Sequence, residues 1–76
     1  ERRVTERLVL GVPQLSDREL QVLRLVAEGL TNREVARRLF VSEATVKTHL
    51  VHAFGKLGVD SRTAAIARAR EHGLLT

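Results

Sequence analysis

The basic residues of this 76-residue chain are unevenly placed, and the placement carries chemical information. Residues 1–30 balance five arginines against five acids, and residues 57–76 set three arginines against Asp60 and Glu71. Between these stretches, Arg33, Arg37, Arg38, Lys47 and Lys56 are opposed only by Glu34 and Glu43. A cationic middle is what an anion-binding surface requires, and it is also what a solubilising surface would show. The same stretch holds Thr31, Asn32, Thr45 and Thr48, whose hydroxyl and amide groups can donate to phosphate oxygens or base edges.

Catalytic and metal chemistry find much less to work with. His49 and His52 stand three apart and could share a metal, but a structural zinc site needs four ligands and no third candidate has fitting spacing. There is no cysteine, hence no disulfide framework and no thiolate metal site. Ser16, Ser42 and Ser61 each precede an apolar-periodic segment, where helix capping accounts for them without invoking a nucleophile. Paired carboxylates and a Gly-rich phosphate loop are both missing from the sequence. No enzyme activity, metal or cofactor is expected.

The elements that would position these groups announce themselves by their ends. Ser16-Asp17-Arg18-Glu19 and Thr31-Asn32-Arg33-Glu34 have the S/T-x-x-E form of a capping box. The first opens a helix in which Leu20, Leu23, Ala27 and Leu30 recur at helical spacing, reinforced by Val22 and Val26, with Gly29 as its end. The second opens a short helix through Val35, Ala36 and Leu39 that breaks around Phe40-Val41. Ser42 caps a third helix over 43–57, stopped by Gly58, and Ser61 caps a fourth from Arg62 to about His72. Two helices with so short a connection form a helix-turn-helix unit. Residues 1–15, which contain Gly11 and the single proline Pro13, read as a linker or arm, with a short helix or strand over Val4 to Leu10 as the alternative. Because the chain begins with Glu1, it is expected to be a piece of a longer protein.

At about 100° per residue, Val46, Leu50, Ala53 and Leu57 of the third helix share one stripe, with Phe54 at its edge. The opposite arc holds Ala44, Thr48, Val51, His52 and Gly55, with Lys47 on one margin and Thr45, His49 and Lys56 on the other. Small residues in the middle and cations at the margins suit a helix lying in the DNA major groove. Marginal groups would meet phosphates there, and Val51 or the Thr48 methyl would meet thymine methyls. Contact of Val51 and Ala44 with another helix or a further domain fits the same arc. The amides near Asn32, Arg33 and Glu34 lie at the positive end of the second helix and could receive a phosphate, although capping alone accounts for Thr31.

These stretches resemble the LuxR-type DNA-binding domain. The likeness runs through Leu15 to Glu19, Val22-Leu23, Ala27 to Ala36, Leu39 to His49, Lys56 to Val59 and Ser61-Arg62, over about residues 15 to 75. It implies an all-α four-helix bundle containing a helix-turn-helix, over residues 16–76, with the third helix in the major groove. It also implies DNA contacts for Thr45, Lys47, Thr48 and Val51 and supporting phosphate contacts near Asn32, Arg33 and Lys56. Thr31 and His52 join these as DNA-contact candidates from their positions. A two-fold contact through the fourth helix is implied at Ala65, Ile66 and Ala69, with core packing as the alternative for these residues. Ala53 stands where a larger aliphatic is usual, and Val51 and Gly55 replace residues that are often polar.

Within the family, the wording from Phe40 to His49 is most similar to response regulators of the NarL/FixJ type. The implied partners are double-stranded DNA and a second copy of the chain, the dimer forming before DNA binding or only on DNA. No residue points to a contact with RNA polymerase. No apolar run approaches the roughly 18 residues of a membrane span, and a cytoplasmic location is expected. A protein-interaction bundle that never meets DNA is the rival reading.

Overall fold

A computed structural model describes residues 14–75 as four helices with no strand among them. They are α1 (Asp17–Ala27), α2 (Asn32–Leu39), α3 (Glu43–Leu57) and α4 (Arg62–Glu71). No described helix is long and apolar enough to cross a membrane. The expected arm falls outside the described residues except for residues 14 and 15, and Leu15 is half-buried against the core.

All four helices begin and end by the same local rules. Ser16, Thr31, Ser42 and Ser61 each hold extended backbone and accept a hydrogen bond from the amide three residues on, which satisfies one orphan donor per helix. At Ser16 and Thr31 the bond is reciprocated by Glu19 and Glu34, completing both expected capping boxes.

At the other ends, Leu30, Val41, Val59 and Leu74 donate their amides to the carbonyls of Leu25, Ala36, Phe54 and Ala69, five residues back in each case. This closure turns the chain through one left-handed residue, and three of the four are glycines: Gly29, Gly58 and Gly73. The fourth is Phe40 at φ 58°, a conformation that costs a side-chain-bearing residue roughly 1–2 kcal/mol. The apolar residue after each turn folds back onto the core.

The core divides into two adjoining clusters. Val22, Val26, Val35, Ala36, Val46 and Leu50 join α1, α2 and the first half of α3. Leu23, Leu57, Ala65, Ala69 and Leu75 join α1, the end of α3 and α4. Phe54 and Ile66 pack against both. Since α3 packs against each of the other three helices, its orientation is fixed from three sides. Arg68 adds a polar tie by donating from Nη1 to the Leu57 carbonyl at 3.0 Å, which satisfies an otherwise orphan acceptor in the last turn of α3.

Candidate nucleic-acid interface

The stripe expected to face inward on α3 is buried, with Val46 and Ala53 fully inaccessible and Leu50 and Leu57 nearly so. Burying that stripe leaves Ala44, Thr48, Val51, His52 and Gly55 exposed on the opposite side. Val51 is 65% exposed, one of two large hydrophobic residues so placed among those described. Gly55 is open too, since a methyl group there would meet nothing within 4 Å. The exposed arc is therefore narrow, small and partly apolar.

Polar groups around the arc are held by local bonds. Thr48 donates its hydroxyl to the Ala44 carbonyl at 3.1 Å, so its hydroxyl proton is already used within the helix. Thr45 is half-buried and its hydroxyl oxygen accepts from the Ser42 hydroxyl at 2.9 Å. Lys47 is exposed and makes no ion pair with another described residue.

The N-terminus of α2 is more occupied than its sequence suggests. The Thr31 amide donates to Glu34 Oε1 at 2.8 Å, and Thr31 Oγ1 accepts from the Glu34 amide at 3.2 Å. Hydrogen bonds from the Thr31 backbone and side chain to the carboxylate, with Arg37 and Arg38 nearby, hold the Glu34 carboxyl below its ordinary value. A carboxylate thus already sits at the positive end of this helix. Asn32 is half-buried, and its Oδ1 accepts from Arg62 Nη2, so only its amide NH₂ remains to donate outward. Arg33 is exposed.

Lys56 and His52 meet a residue that sequence reasoning assigned only to a cap. Lys56 Nζ donates to Glu19 Oε1 at 2.7 Å, and His52 Nδ1 lies 3.9 Å from Glu19 Oε2. Burial pushes the Glu19 carboxyl up. The Lys56 hydrogen bond and charge, with the bonds to Ser16, outweigh burial and leave it lowered. Glu19 and Arg62 are the two residues that the sequence reading missed, and their partners lie 37 and 30 positions away. Glu19 was legible only through its capping-box spelling, and Arg62 only as part of the Ser61-Arg62 likeness at the start of the fourth helix.

The two-fold surface expected at Ala65 and Ala69 is corrected by their burial. Both have no accessible area, because they face Leu23 and Leu57 inside the second cluster. Ile66, half-buried against both clusters, also belongs chiefly to the interior. What α4 shows to solvent is Thr63, Ala67 and Arg70, one helical face, beside Arg68 and Glu71, which pair at 3.5 Å. Among the described residues, no three His, Cys, Asp or Glu come together as a metal site.

Comparison with known proteins agrees with this geometry. Residues 13–69 match the bacterial regulatory proteins of the luxR family. The chain is similar to the nitrate/nitrite response regulator protein homolog of Haemophilus influenzae, at 53% identity over 51 residues, 67% of this chain and 24% of that protein. Its fold is similar to that of the response regulator ChrA of a heme-sensing two-component system (TM-score 0.78, 54% identity, 92% of this chain and 35% of that one). It is also similar to the transcription factor GerE (TM-score 0.78, 31% identity, 82% of this chain and 92% of that one). The chain spans 7% of the length of some curated relatives it matches and 30% of others. Because the match begins ahead of the first capped helix and reaches into the fourth, this chain belongs to the luxR family of bacterial regulatory proteins.

Proposed function

We propose that the domain reads double-stranded DNA by laying the exposed arc of α3 in the major groove, with Thr48 and Val51 against base edges. The observation that carries this reading is Val51, 65% exposed in the middle of an arc whose neighbours Ala44, Thr48 and Gly55 are all small. Such a surface permits the close approach that base contacts need. Lys47, Arg33 and the free amide of Asn32 would take phosphates, with Thr31 and Thr45 beside them and His52 toward the groove. The domain binds and does not catalyse in this reading. It acts in the cytoplasm, where the DNA is.

Likeness to ChrA and to the Haemophilus regulator supports placing the domain at the output end of a two-component response regulator. A homodimer reading paired half-sites would use the outer face of α4 around Thr63, Ala67 and Arg70. One short helix offers little area for a stable interface, which favours dimer formation on DNA. A protein-interaction module is the second reading, favoured by Phe40, 94% exposed.

Retention on a pool of random duplex DNA against rising salt separates the two. Binding through several phosphates weakens steeply with salt, because each contact releases condensed counterions. Absent or salt-independent retention would overturn DNA binding in favour of the interaction module.

A further inference from the structure

Two capping boxes open α1 and α2, and their glutamates are treated very differently. Glu34 serves its box while exposed and pairs with no cation among the described residues. Glu19 makes the same reciprocal bonds while only 5% exposed, and it is the one buried charged side chain described. Capping does not require that burial, as the exposed Glu34 shows. The same oxygen that accepts from the Ser16 amide at 2.9 Å accepts from Lys56 at 2.7 Å. The other oxygen faces His52 on the DNA-reading arc at 3.9 Å.

We propose that Glu19 is a positioning residue for DNA binding: by gripping Lys56 it pins the C-terminal half of α3 to the start of α1 and withholds the Lys56 charge from the phosphates. The inference rests on the DNA-binding reading above. Its physical basis is the short, charge-assisted bond, whose carboxylate is buried and would be costly to strand. Lys56 thereby becomes a structural cation, and the counterions released on DNA binding belong to Lys47 and the arginines of α2. Because the pair is neutral overall, it can be replaced by a neutral pair without altering the charge that DNA meets.

Four proteins test this: wild type, Glu19→Gln, Lys56→Gln and the double variant, each titrated with duplex DNA across a salt series. Gln at position 19 still accepts from the Ser16 amide, since capping boxes use Glu or Gln, and circular dichroism checks that each variant is folded. Glu19→Gln releases Lys56 and steepens the salt slope by about 0.9. Lys56→Gln removes the countercharge of the buried carboxylate and weakens binding. The double variant regains the wild-type slope, with affinity within about twofold of wild type.

A double variant that stays weak, with a slope shallower than wild type by about 0.9, would make Lys56 a phosphate contact and overturn the proposal. An unchanged slope in Glu19→Gln, with only a lower melting temperature, would overturn it as well, leaving Glu19 a cap. A wild-type domain that fails to hold DNA at any salt overturns the DNA-binding reading itself, which is visible before any variant is compared.

Discussion

Arg62, the first residue of α4, donates from Nη2 to Oδ1 of Asn32, the first residue of α2, across 30 positions of sequence. Its Nη1 reaches the Leu30 carbonyl, 3.5 Å away at the end of the α1–α2 connection. One guanidinium thus links the start of α4 to the entry of the helix-turn-helix. It also orients the Asn32 amide that the proposed interface uses.

Arg62→Ala is expected to cost roughly 1–2 kcal/mol of stability, because hydrogen bonds to a charged group are lost and Asn32 is left half-buried without its partner. Denaturant unfolding measures the loss. DNA affinity of the folded variant should fall as well, through a disordered Asn32. Unchanged stability and unchanged affinity together would show that the bridge is incidental.

Phe40 ends α2 in a left-handed conformation at φ 58° while 94% of its surface is exposed. It therefore bears the backbone cost without returning buried area. Phe40→Gly should raise stability by up to about 1 kcal/mol, since glycine adopts this conformation freely but loses more entropy on folding. A higher thermal midpoint in the variant checks this. A clear fall would mean that the ring packs in solution.

Acid should loosen the domain through its two capping carboxylates. Glu19 and Glu34 are both lowered from the ordinary value of 4.5, so their contribution is complete above that pH and disappears as pH falls through their depressed values. Unfolding free energy is expected to be flat near neutrality and to decline below about pH 4.5, less steeply in Glu19→Gln. Identical acid profiles for wild type and Glu19→Gln would contradict the Glu19 pairing.

Local features of this fold were legible in the sequence, and features that depend on distant partners were not. Capping boxes at Ser16 and Thr31 need only four consecutive residues, so their spelling sufficed. The buried stripe from Val46 to Leu57 follows from the helical period. Ala65 and Ala69 were left between a two-fold contact and core packing because small residues suit either, and the Arg/Ala pattern of α4 does not declare which side faces in. Only the arrival of Leu23 and Leu57 decides it. For the same reason, nothing in the sequence signals that Lys56, exposed at the surface, pairs with Glu19 37 positions away.

The most direct measurement is selection of binding sites from random duplex DNA by the wild type and by Val51→Thr. If the α3 arc lies against base edges, the variant recovers sites altered at the one or two positions beneath residue 51, with discrimination changed there by roughly 1–3 kcal/mol. Recovery of the wild-type site at uniformly lower affinity would show that Val51 does not read bases, and the assignment of this face to the major groove would be contradicted.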